Sequence, residues 1–240
     1  MPALAIHPVS GDIIVASNAA GVISISRASG SATVRIPASE LPSSGFSGAS
    51  RVTALTFNPH SLDLLVATFD CKLQRQSPNL RVHPLVDGDG ACSGRVGLVS
   101  SLLVSQDTLY IADSLYGVIW SASLGLGGEL GDLELFAGSA NASLCSDLDD
   151  AGNGDALATC LKLSSSGSTA SLVEAPDGGI AFIDGYGTSV RIVNTTTHKI
   201  WTLYPTPSAQ AMCQSCVFTG LAFDAAGNAI LAVASQGELN

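Results

Sequence analysis

The densest group of side chains able to do chemistry lies between two cysteines, in Cys145-Ser-Asp-Leu-Asp-Asp-Ala-Gly-Asn-Gly-Asp-Ala-Leu-Ala-Thr-Cys160. Asp147, Asp149, Asp150, Asn153 and Asp155 supply hard oxygen donors, which are the ligands calcium takes. The spacing departs from an EF-hand loop, because no Glu stands at the twelfth position, so a solvated acidic loop stays open beside a calcium site. Asp87 and Asp89, in Val-Asp-Gly-Asp-Gly, form a shorter version of the same loop. Two further acids, Asp113 and Asp184, each end a very apolar run. There a carboxylate can accept hydrogen bonds from turn amides in the next segment.

The remaining reactive side chains group less well. His7, His60, His83 and His198 are scattered, and three of them stand beside proline, whereas a histidine zinc site needs several to converge. Cys213-Gln-Ser-Cys216 has the spacing of a redox or zinc pair but lacks a following helical pattern and a second such pair. Ser164 to Ser168 is a low-complexity linker with no nucleophile elbow around it. Cys71, Cys92, Cys145, Cys160, Cys213 and Cys216 make an even count, compatible with three disulfides whose connectivity sequence alone cannot choose. Asn141-Ala-Ser and Asn194-Thr-Thr are glycosylation sequons. Together they point to an extracellular or lumenal setting, although no secretory signal opens the chain. Reduced thiols and chance sequons in a Ser- and Thr-rich chain are the other reading.

Composition limits the partners. The formal charge is −10, and the 10 Lys and Arg are spread singly, so the attraction that dominates nucleic-acid binding is missing. Hydrophobic residues reach 46% and mean hydropathy is +0.38, yet no apolar run approaches the roughly 20 residues a bilayer-spanning helix needs. The expectation is therefore no nucleic acid and no membrane span.

The elements that would position these groups recur. An apolar strand, a turn with Pro, Asp, Gly or Asn, a second and very apolar strand, and a third strand appear in five segments. Ala16, Ala67, Ala112, Ile183 and Ala234 anchor the second strands, at intervals of 51, 45, 71 and 51 by subtraction. Three of these approach the roughly 40 to 50 residues of a four-stranded propeller blade. Near-continuous hydrophobics in the second strands imply sheets covered on both faces. Ile23 and Ile25 alternate with serines in a third strand, which suits a position nearer the rim. Trp120 and Trp201 read as comparable strand positions packed between blades, and Tyr116 and Tyr186 follow Asp113 and Asp184 in short hairpin loops suited to recognition.

The fourth segment, Ser171 to Asn194, resembles an NHL repeat, with Ala151 to Leu163 similar to that family's Gly-Asp lead-in loop. Asp107 to Trp120 repeats its central part, including Tyr110-Ile111-Ala112-Asp113. In the other three copies Ser17, Thr68 and Ala234 stand where the acid would fall. The resemblance implies a six-bladed propeller related to the gluconolactonase and strictosidine-synthase-like families, used mainly to bind proteins and in some branches for hydrolytic or lyase chemistry. In a lactonase-like relative Asp113 and Asp184 would be the first candidates to hold a divalent metal, but no full ligand set maps onto this sequence.

These observations give an all-β chain of four-stranded antiparallel blades, with about five NHL-like repeats of an incomplete six-bladed ring. A single domain covers residues 1–240, with blades near 1–50, 51–95, 96–138, 168–212 and 213–240 and an insertion at 139–167. The expected function is a protein- or ligand-binding scaffold acting through one loop face, with Tyr116, Tyr186, Asp113 and Asp184 at its surface. The alternative is a metal-dependent lactonase or hydrolase. An open C-terminal edge would call for further polypeptide or another chain.

Overall fold

The computed structural model describes residues 3–17, 19–41, 52–79, 82–86, 95–139, 154–163, 171–185, 188–204 and 216–235. Five antiparallel sheets follow one another along the chain. The first orders β1 (Leu4–Ile6), β2 (Ile13–Ser17), β3 (Gly21–Ile25) and β4 (Ala32–Pro37) as sequential neighbours. The second does the same with β5 (Val52–Phe57), β6 (Leu64–Thr68), β7 (Leu73–Gln76) and β8 (Val82–Val86). The third is built from β9 (Val99–Ser105), β10 (Thr108–Asp113), β11 (Val118–Ser123) and β12 (Glu134–Ala137). These are β-propeller blades, and the expected all-β fold class holds.

The fourth sheet gains a strand. Its own β14 (Val173–Glu174), β15 (Ile180–Asp184), β16 (Ser189–Val193) and β17 (Lys199–Tyr204) are joined at the outer edge by β13 (Gly154–Asp155). Asp155 lies opposite Lys199 and Gly154 opposite Ile200, so part of the segment read as an insertion is a fifth strand. The fifth sheet contains β18 (Cys216–Phe223) and β19 (Ala229–Ser235) among the described residues.

The anchors fall at one structural position. Ala16, Ala67, Ala112, Ile183 and Ala234 are each the penultimate residue of β2, β6, β10, β15 and β19. The first four are buried, because a second strand in a blade is covered on both faces. Trp120 and Trp201, read as comparable, differ: Trp120 is in the third strand of its sheet and Trp201 in the fourth strand of the next. The residue at the place of Trp120 in the fourth sheet is Arg191, seven residues after Asp184 as Trp120 is after Asp113.

The chain divides into two compact units, Met1–Leu109 with Ala122–Asp132, and Tyr110–Ser121 with Leu133–Asn240. In the first unit Ile14, Ala16, Val22 and Ile36 of the first sheet pack with Val52, Leu55, Phe57, Leu64 and Val66 of the second. In the second unit Ala181, Ile183, Val190 and Ile192 pack with Phe218 and Leu221 of β18. Each fully buried aliphatic side chain in these layers contributes about 1.5–3 kcal/mol.

Turn chemistry fixes the hairpins. In Ala175-Pro-Asp-Gly-Gly179 the Gly178 amide donates to Ala175 O, Gly178 has φ +81, and the Asp177 carboxylate accepts from the Gly179 amide. In the β18–β19 turn the Asp224 carboxylate accepts from Asn228 Nδ2 and from the amides of Asn228 and Ala226. These bonds, the Asn228 side chain first, hold the Asp224 pKa below the ordinary 3.8. A lowered folded pKa means that the unfolded chain takes up the proton first. Its contribution is complete above the unfolded value and is lost as pH falls through the folded one. We expect Asp224→Asn to lower stability slightly at neutral pH, where the wild-type contribution is complete, and to match wild type once pH falls well below 3.8, as read by urea unfolding at stepped pH.

Candidate functional site

The site is assembled around the turn between β10 and β11, at the end of the sheet where Asp113 closes the second strand. Asp113 is completely buried. Its Oδ1 accepts from the amides of Leu115 at 3.1 Å and Tyr116 at 3.2 Å, and its Oδ2 accepts from Trp120 Nε1 at 3.3 Å. The carboxylate therefore caps its own turn and fixes an indole. The architectural role anticipated from its place after an apolar run is therefore met within its own turn, not by amides of the next segment. Asp113→Asn keeps the turn acceptor but turns an amide NH2 towards the Trp120 NH. We expect a loss of about 1–3 kcal/mol, measured by urea unfolding.

That turn holds two large apolar side chains in solvent, Leu115 at 53% and Tyr116 at 41% exposure. Gly117 follows with φ +64, and a Cβ there would stand 2.7 Å from Leu161 O. The backbone of residue 161 thus passes directly over the turn, which only glycine permits.

Residues 154–163 tie this turn to the next sheet. Gly138, just after β12, donates to Ala156 O at 2.9 Å, and Ala156 donates to His198 O at 2.9 Å. Asp155 caps a 3-10 turn at residues 156–158, its Oδ1 accepting from the Leu157 amide at 3.0 Å. Its backbone carbonyl accepts from Thr159 Oγ1 at 2.8 Å. Farther on, the Lys162 amide donates to Asp184 Oδ1 at 2.6 Å, and Asp184 Oδ2 accepts from Arg191 Nη1 at 3.3 Å. Asp184 and Arg191 are both buried, Arg191 completely. One strap, 154–163, therefore touches the Gly117 turn at one point and Asp184 at another.

Burial also revises how two of the expected surface residues act. Asp113 and Asp184 support the loops instead of facing solvent, while Tyr116 is exposed. Leu115, Lys162 and Arg191 were missed. A signal for the last was present: Trp120 follows Asp113, and Arg191 follows Asp184, by the same seven residues, the offset that antiparallel pairing across the turn gives a diagonal neighbour. Tyr186, Asp147, Asp149, Asp150, Asn153, Asn141, Cys92, Cys145 and Cys213 lie outside the described residues, as does the side chain of Cys216. Asn194 is in the β16–β17 turn, where its Oδ1 accepts from the amides of Thr196 and Thr197. Among the described residues no three His, Cys, Asp or Glu side chains converge as metal ligands, and the Asp155 carboxylate already serves as a cap. No helix among the described residues is long and apolar enough to cross a membrane.

No protein-family model and no curated protein matches the chain. Solved structures do. Virginiamycin B lyase from Staphylococcus aureus is 10% identical with a TM-score of 0.59, the match covering 96% of this chain and 62% of that one. Regucalcin from Agrobacterium tumefaciens, described as a calcium-binding protein, is 14% identical with a TM-score of 0.59, covering 99% and 68%. A chain of a nidogen–laminin complex is 10% identical with a TM-score of 0.57, covering 85% and 64%. The first three solved structures it matches are covered over 46%, 64% and 61% of their own length. At this level of identity the likeness is one of fold: the chain is built as a β-propeller of antiparallel blades.

Proposed function

We propose that the chain is an NHL-type propeller module that binds a protein or small ligand on the loop face around the β10–β11 turn. The observation that carries this reading is Leu115 and Tyr116 exposed on a turn pinned by the buried carboxylate of Asp113. A half-exposed tyrosine on a turn pinned by a buried carboxylate suits a binding hot spot, where tyrosine is enriched. Tyr186, which follows Asp184 in the sequence, is proposed to serve recognition in the same way. Neighbours of like fold include proteins described by their binding partners, which supports a scaffold role. Membership of the NHL family is supported by the Asp113 and Asp184 repeats, and a six-bladed ring by the greater length of the neighbours. Disulfides are supported by Cys71 and Cys160, neither of which is a free thiol.

A metal-dependent hydrolase is the second reading, favoured by the likeness to a lyase and to a calcium-binding protein. Asp147, Asp149, Asp150, Asn153 and Asp155 would be the calcium ligands. Calcium added to chelator-treated protein separates the two readings. The binding module predicts no hydrolysis of a lactone beyond the uncatalysed rate, with or without calcium. Chelator-sensitive hydrolysis, with a rise in Tm of several degrees that Asp149→Asn and Asp150→Asn abolish, would replace it by the enzyme.

A further inference from the structure

Asn194-Thr195-Thr196 is a sequon, and as sequence alone it is either an acceptor for a sugar or a chance triplet. The fold supplies what the triplet alone lacks. It stands in the turn between β16 and β17, where the Asn194 amide donates to Lys199 O at 2.9 Å and the His198 amide donates to Asn194 O at 3.0 Å. Asn194 also shapes the turn from within. Its Oδ1 accepts from the Thr196 amide at 3.0 Å, the Thr197 amide at 2.8 Å and Thr197 Oγ1 at 3.1 Å. Thr195 Oγ1 donates to Gly178 O at 3.2 Å and the Ala156 amide to His198 O at 2.9 Å, so neighbouring segments hold the turn from outside.

These bonds occupy one half of the Asn194 side-chain amide and leave the other half open. Among the described residues Nδ2 donates to nothing, and it is not one of the buried polar atoms left without a partner, so it reaches solvent. Thr196 Oγ1 makes no bond among them either, and Thr196 and Thr197 are exposed. The nitrogen that would carry a sugar and the hydroxyl that completes the sequon therefore both meet water, while Oδ1 alone holds the turn. Val193 and Ile200, which flank the turn, are buried, so the core closes just before Asn194 and reopens just after it. A bulky, hydrated group on Nδ2 would displace no packed side chain and break no hydrogen bond.

Cysteine chemistry points the same way. Neither Cys71 nor Cys160 is a free thiol, and disulfides persist in the oxidising compartments through which glycosylated chains pass. We infer that Asn194 carries an N-linked oligosaccharide on Nδ2. The donor is a lipid-linked oligosaccharide pyrophosphate. Nδ2 attacks C1 of its first sugar, the N–C1 bond forms as the bond from C1 to the pyrophosphate oxygen breaks, the lipid pyrophosphate leaves, and the amide gives up one proton to the transferase. Asp184 pairs with Ser189 and Ile180 with Val193, so the sugar projects from the end of the fourth sheet away from Asp184. The inference is independent of recognition at the β10–β11 turn.

The test uses the full 240-residue chain, secreted from eukaryotic cells behind a cleavable leader. Peptide mapping by mass spectrometry should find an oligosaccharide on Asn194, and release by an amidase in heavy-oxygen water should leave labelled aspartate there. Asn194→Gln and Thr196→Ala should each abolish the sugar, whereas Thr196→Ser and Thr195→Ala, which keep the sequon, should retain it. If Asn194→Gln is not secreted, the two Thr196 variants make the same test, because neither removes a bond to Asn194 Oδ1. Release of the sugar should move Tm by no more than about 2 °C, since the new carboxylate still accepts from the Thr196 and Thr197 amides. A bare Asn194 in the secreted and folded chain, a sugar confined to Asn141, or a sugar found only on chain that has failed to fold would each overturn the inference.

Discussion

Asp184→Asn is expected to cost about 3–5 kcal/mol of folding stability, the loss typical of a buried ion pair deprived of one partner. Asn retains an oxygen for the Lys162 amide, so the substitution isolates the charge. What remains is the Arg191 guanidinium, whose side chain is fully buried and which donates to Asp184 Oδ2 at 3.3 Å. A buried cation without that carboxylate has lost the charge interaction that offset part of its desolvation. Arg191→Met should cost about as much, by leaving the carboxylate uncompensated. Removing both, in Asp184→Leu with Arg191→Met, should cost only about 1–3 kcal/mol, mainly the Lys162 amide left without its acceptor. A double-mutant cycle in urea reads this non-additivity directly. Additive losses, or an Asn variant within about 1 kcal/mol of wild type, would mean that water reaches the pair.

Gly138→Ala is expected to be the most damaging glycine replacement near the site, at about 3 kcal/mol or more. Gly138 has φ +98, and a Cβ there would stand 2.6 Å from Gly117 O and 2.8 Å from Val118 Cα. Both are backbone atoms, so relief requires moving the β10–β11 turn or breaking the bond from Gly138 to Ala156 O. Either movement loosens the strap at 154–163. Hydrogen exchange should therefore quicken at the Ala156 and Lys162 amides as stability falls. Gly178→Ala is the control: φ there is +81 but nothing lies within 4 Å of the added methyl. Only the left-handed conformation is penalised, by about 1–2 kcal/mol. Equal losses at the two glycines would show that the close approach at Gly138 contributes nothing.

The repeats were legible because burial on both faces writes itself into sequence. Leu64 to Thr68 and Thr108 to Asp113 tolerate almost no polar interior residue, and their anchors recur at the same strand position. The two acids were legible for a similar reason, since a carboxylate after an apolar run must be satisfied by a turn or a partner. Which of these it takes was not. Asp113 bonds amides two and three residues on, whereas Asp184 bonds an amide 22 residues earlier and an arginine. The sequence pattern is the same; the difference arises because the 154–163 strap turns the Lys162 amide to Asp184, whereas Asp113 finds its donors in its own turn and in Trp120. The fifth strand at Gly154–Asp155 was hidden by its length, since two residues carry no periodicity. Alternation in Ile23 and Ile25 separates the two faces of a strand.

The central claim, recognition through the β10–β11 turn, is tested most directly at Leu115 and Tyr116. Peptides selected from a displayed random library on the wild-type chain would be titrated against wild type and against Leu115→Ser with Tyr116→Ala. Truncating an anchor pair of this kind should weaken binding at least about tenfold. Stability should hardly change, because both side chains are substantially exposed and the Asp113 bonds run to backbone amides. That result would locate recognition on this loop face. Peptides that bind the double variant as tightly as wild type would contradict the account and move the binding surface elsewhere.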